Sequence, residues 1–384
     1  MTAIDTSDVT SLRRLNAQTT LDCLRAEPTT WVTVRELAVR TKLSRPTVSR
    51  VLEDLEQAGW VRSVAGLPGG TGRPARRFCF NGAAGLILSV EAGPFAFNAM
   101  LADLAGTTQA EVSRRPPVIT TSEELVGFFQ ELAAECLAGV DPGIPLRAVS
   151  LGLPGPVDEQ GRLRVSITAP EWDGFDVRDT LRGLYPEAAV LIGRTGEFDT
   201  LAEITSGALV GVKNAVHVTF SDRCRATLVV GGRIVRGAHG MAGARPRTHG
   251  VGKNLAASWT PLRDLIYGDH PRQRMSEIVA AAQEGSEADV EVLTRYAHAL
   301  APRVSFLVRA VAPEVLVVGG QLLALPDIAL PPLVAAVRAS AGLDRRGSVD
   351  ESRLPEVRLA HYSPAHAGPT GGLHAALSAI DWTV

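Results

Sequence analysis

The run Ser44-Arg45-Pro46-Thr47-Val48-Ser49-Arg50 offers two guanidinium groups and three hydroxyls within seven residues. Arg50 could donate bidentately to guanine, Thr47 and Ser49 suit phosphates or base edges, and Arg45 suits a nucleic-acid backbone. Contacts of this kind need a rigid element behind them, and the flanking sequence predicts one. Thr33-Val34-Arg35-Glu36 has the form of a capping box and opens a short helix ending near Thr41. Ser44 is a second N-cap, and the next helix runs from Arg45 to Ala58, with Gly59 as its left-handed stop. Val48, Val51, Leu52 and Leu55 recur at the i, i+3, i+4, i+7 spacing of a buried stripe, so Pro46, Ser49, Arg50 and Glu53 lie off it.

Two short helices joined by a tight turn form a helix-turn-helix, whose second helix places its N-terminal residues in the major groove. Trp60 to Val64 and Arg76 to Phe80 read as strands flanking a Gly/Pro-rich tip, which adds a wing. At that tip Gly72-Arg73-Pro74 presents Arg73 to a narrow minor groove. The expected DNA-contacting set is Ser44, Arg45, Thr47, Ser49, Arg50 and Arg73, with a double-stranded operator as partner. The bland alternatives are a three-helix bundle with a solvated polar face and a plain turn at the tip.

The whole chain has 384 residues and a formal net charge of −2, with 45% hydrophobic and 21% charged residues. That balance excludes a disordered or collagen-like chain, and the length predicts two or three domains. The charge is uneven: residues 1–80 carry 12 basic and 8 acidic side chains, and the remainder carries 27 and 33. A basic head on an acidic body fits a nucleic-acid reader with a sensing part. The four cysteines lie at least 56 positions apart and form no Cys-x-x-Cys pair, and the histidines are scattered, so neither a disulfide framework nor a bound metal is expected. Residues 1–10 have neither the basic start nor the apolar stretch of a secretory signal, and Val315 to Val337 is broken by glycines and prolines. A cytoplasmic protein without membrane contact is expected.

The boundary falls at Asn81-Gly82-Ala83, giving a head of residues 1–80 and a body of residues 83–384. Leu86 to Val90 reads as a buried strand. Helix is expected over Ser122–Leu137, Asp199–Val210 and Ala288–Ala312. Strands are expected over Ala148–Leu153, Val190–Ile192, Ala215–Phe220 and Val315–Val318, with a hairpin over Ala226–Val235 turning at Gly231-Gly232. The alternation predicts an α/β body, one that could divide into two lobes.

Several motifs resemble the ROK (repressor, open reading frame, kinase) family, specifically its winged-helix transcriptional regulators. They are Arg35-Glu36-Leu37-Ala38 through Arg50, Gly72-Arg73-Pro74, Leu153-Pro154-Gly155-Pro156-Val157-Asp158, the glycine-rich string from Gly231 to Gly243, and Val317-Val318-Gly319-Gly320. The resemblance implies an actin-like, sugar-kinase body of two lobes around a cleft. Lobe one would span about 83–195 plus a C-terminal helix after Gly371-Gly372, and lobe two about 196–370.

The kinase members' chemistry is missing where the resemblance places it. Their first phosphate loop, Asp-x-Gly-Gly-Thr, corresponds to Glu91-Ala92-Gly93-Pro94-Phe95, and Pro94 has no amide to donate. Their second, glycine-rich loop corresponds to Ser221-Asp222-Arg223-Cys224-Arg225. Their catalytic Asn-Asp pair corresponds to Arg194-Thr195, counted back from Glu203, and Thr195 has no carboxylate to take a proton. The sugar-binding Glu after Ala242-Gly243 is replaced by Ala244, Arg247 falls near a sugar- and zinc-contacting His, and 248–259 contains no cysteine. No catalytic residues and no cofactor are therefore expected. Arg194, Arg223, Arg225, Arg245 and Arg247 fall in segments bordering the family cleft, with Thr195 among them and Glu171 beside Trp172 where a sugar-contacting Asn is usual. If these groups converge they suit an anionic effector; if not, they are solvated loop residues. A homodimer or higher homo-oligomer reading a two-fold operator is expected, the alternatives being a kinase with an appended head or a regulator whose body serves only oligomerisation or protein contacts.

Overall fold

The computed structural model describes residues 6–66, 75–93, 96–158, 160–164, 169–220, 224–238, 240, 242–243, 271–340 and 353–382. The chain opens on a long helix, α1 (Thr6–Arg25), which sequence reading had passed over. The short strand β1 (Val32–Thr33) leads into α2 (Val34–Thr41). The capping box is present: the Thr33 hydroxyl accepts from the Glu36 amide at 3.3 Å, and the Thr33 amide donates to Glu36 Oε2 at 2.7 Å. Lys42 closes α2 in the left-handed conformation, at φ 58°. Helix α3 (Arg45–Gln57) follows, with Ser44 accepting from the Thr47 amide and Pro46 in its first turn. Strands β2 (Val61–Val64) and β3 (Arg77–Phe80) complete a three-stranded sheet in the order β1-β3-β2.

The body contains two five-stranded sheets. The first holds β4 (Leu86–Ala92), β5 (Phe97–Asp103), β6 (Thr108–Arg114), β7 (Leu146–Leu153) and β8 (Ala189–Arg194), in the order β6-β5-β4-β7-β8. The second holds β9 (Ala215–Phe220), β10 (Cys224–Val230), β11 (Arg233–Val235), β12 (Val315–Gly320) and β13 (Glu356–Leu359), in the order β11-β10-β9-β12-β13. Each sheet is a three-stranded antiparallel meander extended by two parallel strands, so one topology occurs twice. Parallel strands are buried on both faces, which is why β4 and β12 are apolar and buried along their length.

One face of the first sheet packs on α4 (Ser122–Leu137), in a core built around Phe97, Phe129 and Trp172. Beyond it lies α5 (Arg178–Leu184). The second sheet packs against α7 (Pro271–Gln283), α8 (Glu287–Val311) and α9 (Pro326–Ser340), around Phe220 and Tyr296. Between the sheets run α6 (Thr195–Ser206) and α10 (Ala367–Ala379).

Two helix expectations shift. The helix expected over Asp199–Val210 starts at Thr195 and ends at Ser206, because the Glu203 carboxylate takes the Ala208 amide at 2.7 Å and turns the chain. The C-terminal helix includes Gly371 and Gly372 instead of following them. An added Cβ on Gly371 would collide with the Phe198 carbonyl, so these glycines bring α10 into close contact with α6. The hairpin of β5 and β6 was not anticipated either.

The head shares a core with the body. Leu52, Leu55, Trp60 and Phe80 pack with Ile87, Met100, Ala148 and Ile380 in one buried cluster. Trp382, just past α10, sits edge-on to Trp60 with centroids 4.9 Å apart and to Phe80 at 6.0 Å, and the Arg25 guanidinium lies 4.6 Å from its ring centre.

Candidate DNA-reading face and inter-lobe cleft

On α3, Val48, Val51, Leu52 and Leu55 are buried, as the spacing predicted, and Ser44, Arg45 and Arg50 are exposed while Thr47 and Ser49 are half-buried. The Ser44 and Thr47 hydroxyls lie 2.7 Å apart and bond to each other, so both belong to the cap that fixes the helix start. The outward face divides two grooves. Arg45 and Ser49 line one, with Arg35 and Arg40 of α2 and Arg76 beside β3. Thr47 and Arg50 line the other, with Arg13 and Arg14 of α1. These five further arginines were missed because each lies outside the second helix; a helical reading of residues 6–25 would have supplied the first two. Arg40 pairs with Glu27 at 3.3 Å and Arg76 with Glu56 at 2.7 Å. Arg73 lies outside the described residues.

The cleft is built at the junction of β8 and α6. Arg194 ends the strand, and its guanidinium is buried between the Ala242 and Ala226 carbonyls, at 3.4 and 3.5 Å. Burial lowers its pKa below the ordinary arginine value, with Glu197 opposing. Thr195, fully buried, accepts from Arg225 Nη1 at 3.0 Å, and Arg225 Nη2 lies 3.4 Å from Asp199 Oδ2. Arg194, Thr195 and Arg225 are thus brought together at the start of α6. Glu171 lies apart from them, exposed on a short turn whose neighbour Trp172 donates its indole N–H to the Ile119 carbonyl. Arg223, Arg245 and Arg247 lie outside the described residues, as do 248–259.

The structure adds acids that sequence reading did not single out. Asp199 is buried, which raises its pKa to about 6 against the pull of Arg225. Glu91, near the start of α10, is raised to about 8, first by burial and then by Asp199, with Arg225 and a hydrogen bond from Asn98 opposing. His217 is lowered to about 4, by burial and then by Arg225. Its Nδ1 lies 2.9 Å from the Thr200 hydroxyl, whose single proton goes to the Gly196 carbonyl; Nδ1 therefore carries the ring proton. Their one signal in the sequence was acidic residues spaced four apart, at 199 and 203, on a helix that otherwise reads as core. At neutral pH this gives a protonated Glu91 and a neutral His217 around one ion pair, with a threonine hydroxyl held by Arg225 where a transferase would need a free base.

On the open side of the same junction lies a cleft of about 590 Å³, lined by Asp158, Arg164, Arg178, Arg194, Glu197 and Arg236 among others. Asp158 pairs with Arg164 at 2.7 Å, and Glu197 with Arg236 at 2.8 Å. Among the described residues no cluster of three or more His, Cys, Asp or Glu side chains is placed to hold a metal ion, and no helix is long and apolar enough to cross a membrane.

Comparison with known proteins matches residues 19–67 to the MarR family and residues 87–245 to the ROK family. A kanosamine kinase of Amycolatopsis mediterranei is 36% identical over 90 residues, 23% of this chain and 29% of the kinase, so the match spans less than a third of that relative. Among solved structures, a ROK family transcriptional regulator described as a homologue of the E. coli MLC protein superposes with a TM-score of 0.71 at 18% identity, covering 95% of this chain and 96% of its own. The ROK hexokinase of Thermus thermophilus gives 0.56 at 23% identity, covering 76% of this chain and 98% of its own. A ROK family glucokinase of Streptomyces griseus, in complex with glucose and AMPPNP, gives 0.58 at 18%, covering 77% and 100%. At these identities the likeness concerns the fold.

Proposed function

We propose that this chain, which joins a MarR-type winged helix to a ROK-family domain, is a DNA-binding transcriptional regulator without sugar kinase activity. In this reading residues 1–80 read an operator and residues 83–384 set its occupancy. The observation that carries it is the face of α3: a helix capped at Ser44, anchored by four buried side chains, with Arg50 exposed opposite them and arginines of α1 and α2 on either flank. Affinity for phosphates comes from such arginines, and base preference from Arg50. A two-fold operator read by a homo-oligomer suits a helix of this kind. An effector in the body would act by binding two of its conformations with different affinity.

The kinase likeness raises a second reading, phosphorylation of a sugar. Against it, Thr195 stands at the base position with its hydroxyl bonded to Arg225. Asp199, one turn further along, is buried and paired with the same arginine. We expect no ATP-dependent phosphorylation of hexoses or aminohexoses above a no-enzyme blank.

Operator binding tests the first reading. At fixed salt, Arg50→Ala should weaken binding to the true operator by about 1–3 kcal/mol and relax preference at one base position per half-site. Parent-like binding by that variant, to operator and scrambled DNA alike, would remove α3 from the recognition surface.

A further inference from the structure

We infer that the inter-lobe cleft binds a small dianion, a phosphomonoester or a dicarboxylate, gripped by Arg164, Arg178, Arg194 and Arg236. The inference rests on reading the body as the sensing part of the molecule. Three of these four arginines lie outside the set anticipated from sequence.

They come from four separate stretches of chain: the segment after Leu163, the first turn of α5, the end of β8, and the segment after β11. Four guanidinium groups here face only two carboxylates, Asp158 and Glu197. The excess of two positive charges matches a dianion and would be left uncompensated by a neutral sugar. The Asp158 carboxyl is partly desolvated, but the Arg162 amide and the charges of Arg164 and Arg162 hold it below its ordinary value.

The two acids also orient the arginines. Asp158 Oδ2 meets Nε of Arg164, and Glu197 Oε2 meets Nε of Arg236. A carboxylate at Nε fixes the plane of a guanidinium and leaves its terminal nitrogens, the pair that grips phosphate or carboxylate bidentately. Both side chains stay largely exposed, at 56% and 68%. The first turn of α6 also lines the cleft through Arg194 and Glu197, adding the positive end of a helix dipole. The volume falls within the range of about 300–1,000 Å³ typical of small-molecule sites. Because Arg164 and Arg178 belong with the first sheet and Arg236 follows a strand of the second, a ligand held by all of them ties the lobes together.

The test is calorimetric titration of the full chain, at constant ionic strength, with glucose 6-phosphate, succinate and glucose. One of the two dianions should bind at least about tenfold more tightly than glucose, and which one does identifies phosphate or carboxylate as the group read. Arg164→Gln and Arg236→Gln should each weaken that binding by roughly tenfold, the equivalent of one charge-assisted hydrogen bond. Both replace exposed side chains, so the unliganded variants should melt with the parent; Arg178→Gln supplies a third variant should either fail to fold. Neither dianion outperforming glucose, or parent affinity in the folded variants, overturns the inference. Operator binding by the same preparations, measured without added anion, separates the two readings. Retained operator binding with no anion binding sinks the cleft site alone, and the reverse sinks the regulator alone.

Discussion

The head and the cleft use the same residue types under opposite solvation. In the head, Glu36 is exposed and its carboxylate is held below the ordinary range by hydrogen bonds from the Thr33 amide and hydroxyl. In the cleft, Glu91 is buried next to Asp199 and is pushed up to about 8. An exposed acid serves a local purpose, closing a helix end, and water absorbs its charge. A buried acid depends on partners brought from other elements: α6 gives Asp199, β10 gives Arg225, and β5 gives Asn98. The two regions are nevertheless joined by one element. Helix α10 begins at the cleft, where a Cβ on Gly368 would meet the Glu91 carboxylate, and the chain leaves it at Trp382, against Trp60 and Phe80 of the head.

That junction should show the largest effect. Trp382→Ala removes a buried indole from the shared core and should cost about 3–5 kcal/mol in denaturant unfolding. It should also loosen any link between the cleft and operator affinity. A loss below about 1 kcal/mol would mean that head and body fold independently, and the comparison would then concern two separate domains.

A middle-sized effect should depend on pH. Glu91 is protonated in the folded protein up to about pH 8 but ionises near its ordinary value of 4.5 when unfolded. Its contribution to stability is therefore full below pH 4.5 and is lost as pH rises through 8. Glu91→Gln keeps the neutral form throughout, so its stability relative to the parent should rise between pH 6.5 and 8.5, by an amount on the order of a few kcal/mol. His217 has the opposite sign, since its folded value of about 4 makes it destabilising only as pH falls below 6.5, outside that window. Melting curves of the parent and Glu91→Gln across the window decide the matter. A pH-independent difference would show that Glu91 is solvated like the acids of the head.

The smallest effect belongs to the head. Ser44→Ala removes the side chain that caps α3 and should cost about 1 kcal/mol, with no pH dependence over the same range. A pH-dependent loss would blur the distinction between the regions.

The helix-turn-helix was legible because its rules act over three or four residues. Thr33 and Glu36 cap each other, Val48 to Leu55 repeat at helical spacing, and Gly59 takes the left-handed conformation at φ 82°. The central strands of both sheets were legible for a related reason: only strands buried on both faces read as unbroken apolar runs. The antiparallel hairpin of β5 and β6 carries a polar outer strand, and α1 has a weakly amphipathic sequence, so neither gave a clear local signal. At the cleft, sequence reading reached Arg194, Thr195 and Arg225 through their positions in motifs. It missed Arg164, Arg178, Arg236, Glu197 and Asp199, whose roles come from long-range partners.

The sequence by itself determined a capped reading helix, the alternating elements of the body, and the loss of a base at Thr195. Those properties depend on residue type and short spacing. Only the tertiary structure decided which charges face one another, because Arg225 meets Thr195 across 30 residues and Arg236 meets Glu197 across 39. Burial, too, is a property of the packed chain: the packing of α6 and α10 against the sheets separates the protonated Glu91 from an exposed Glu36 of the same chemical type.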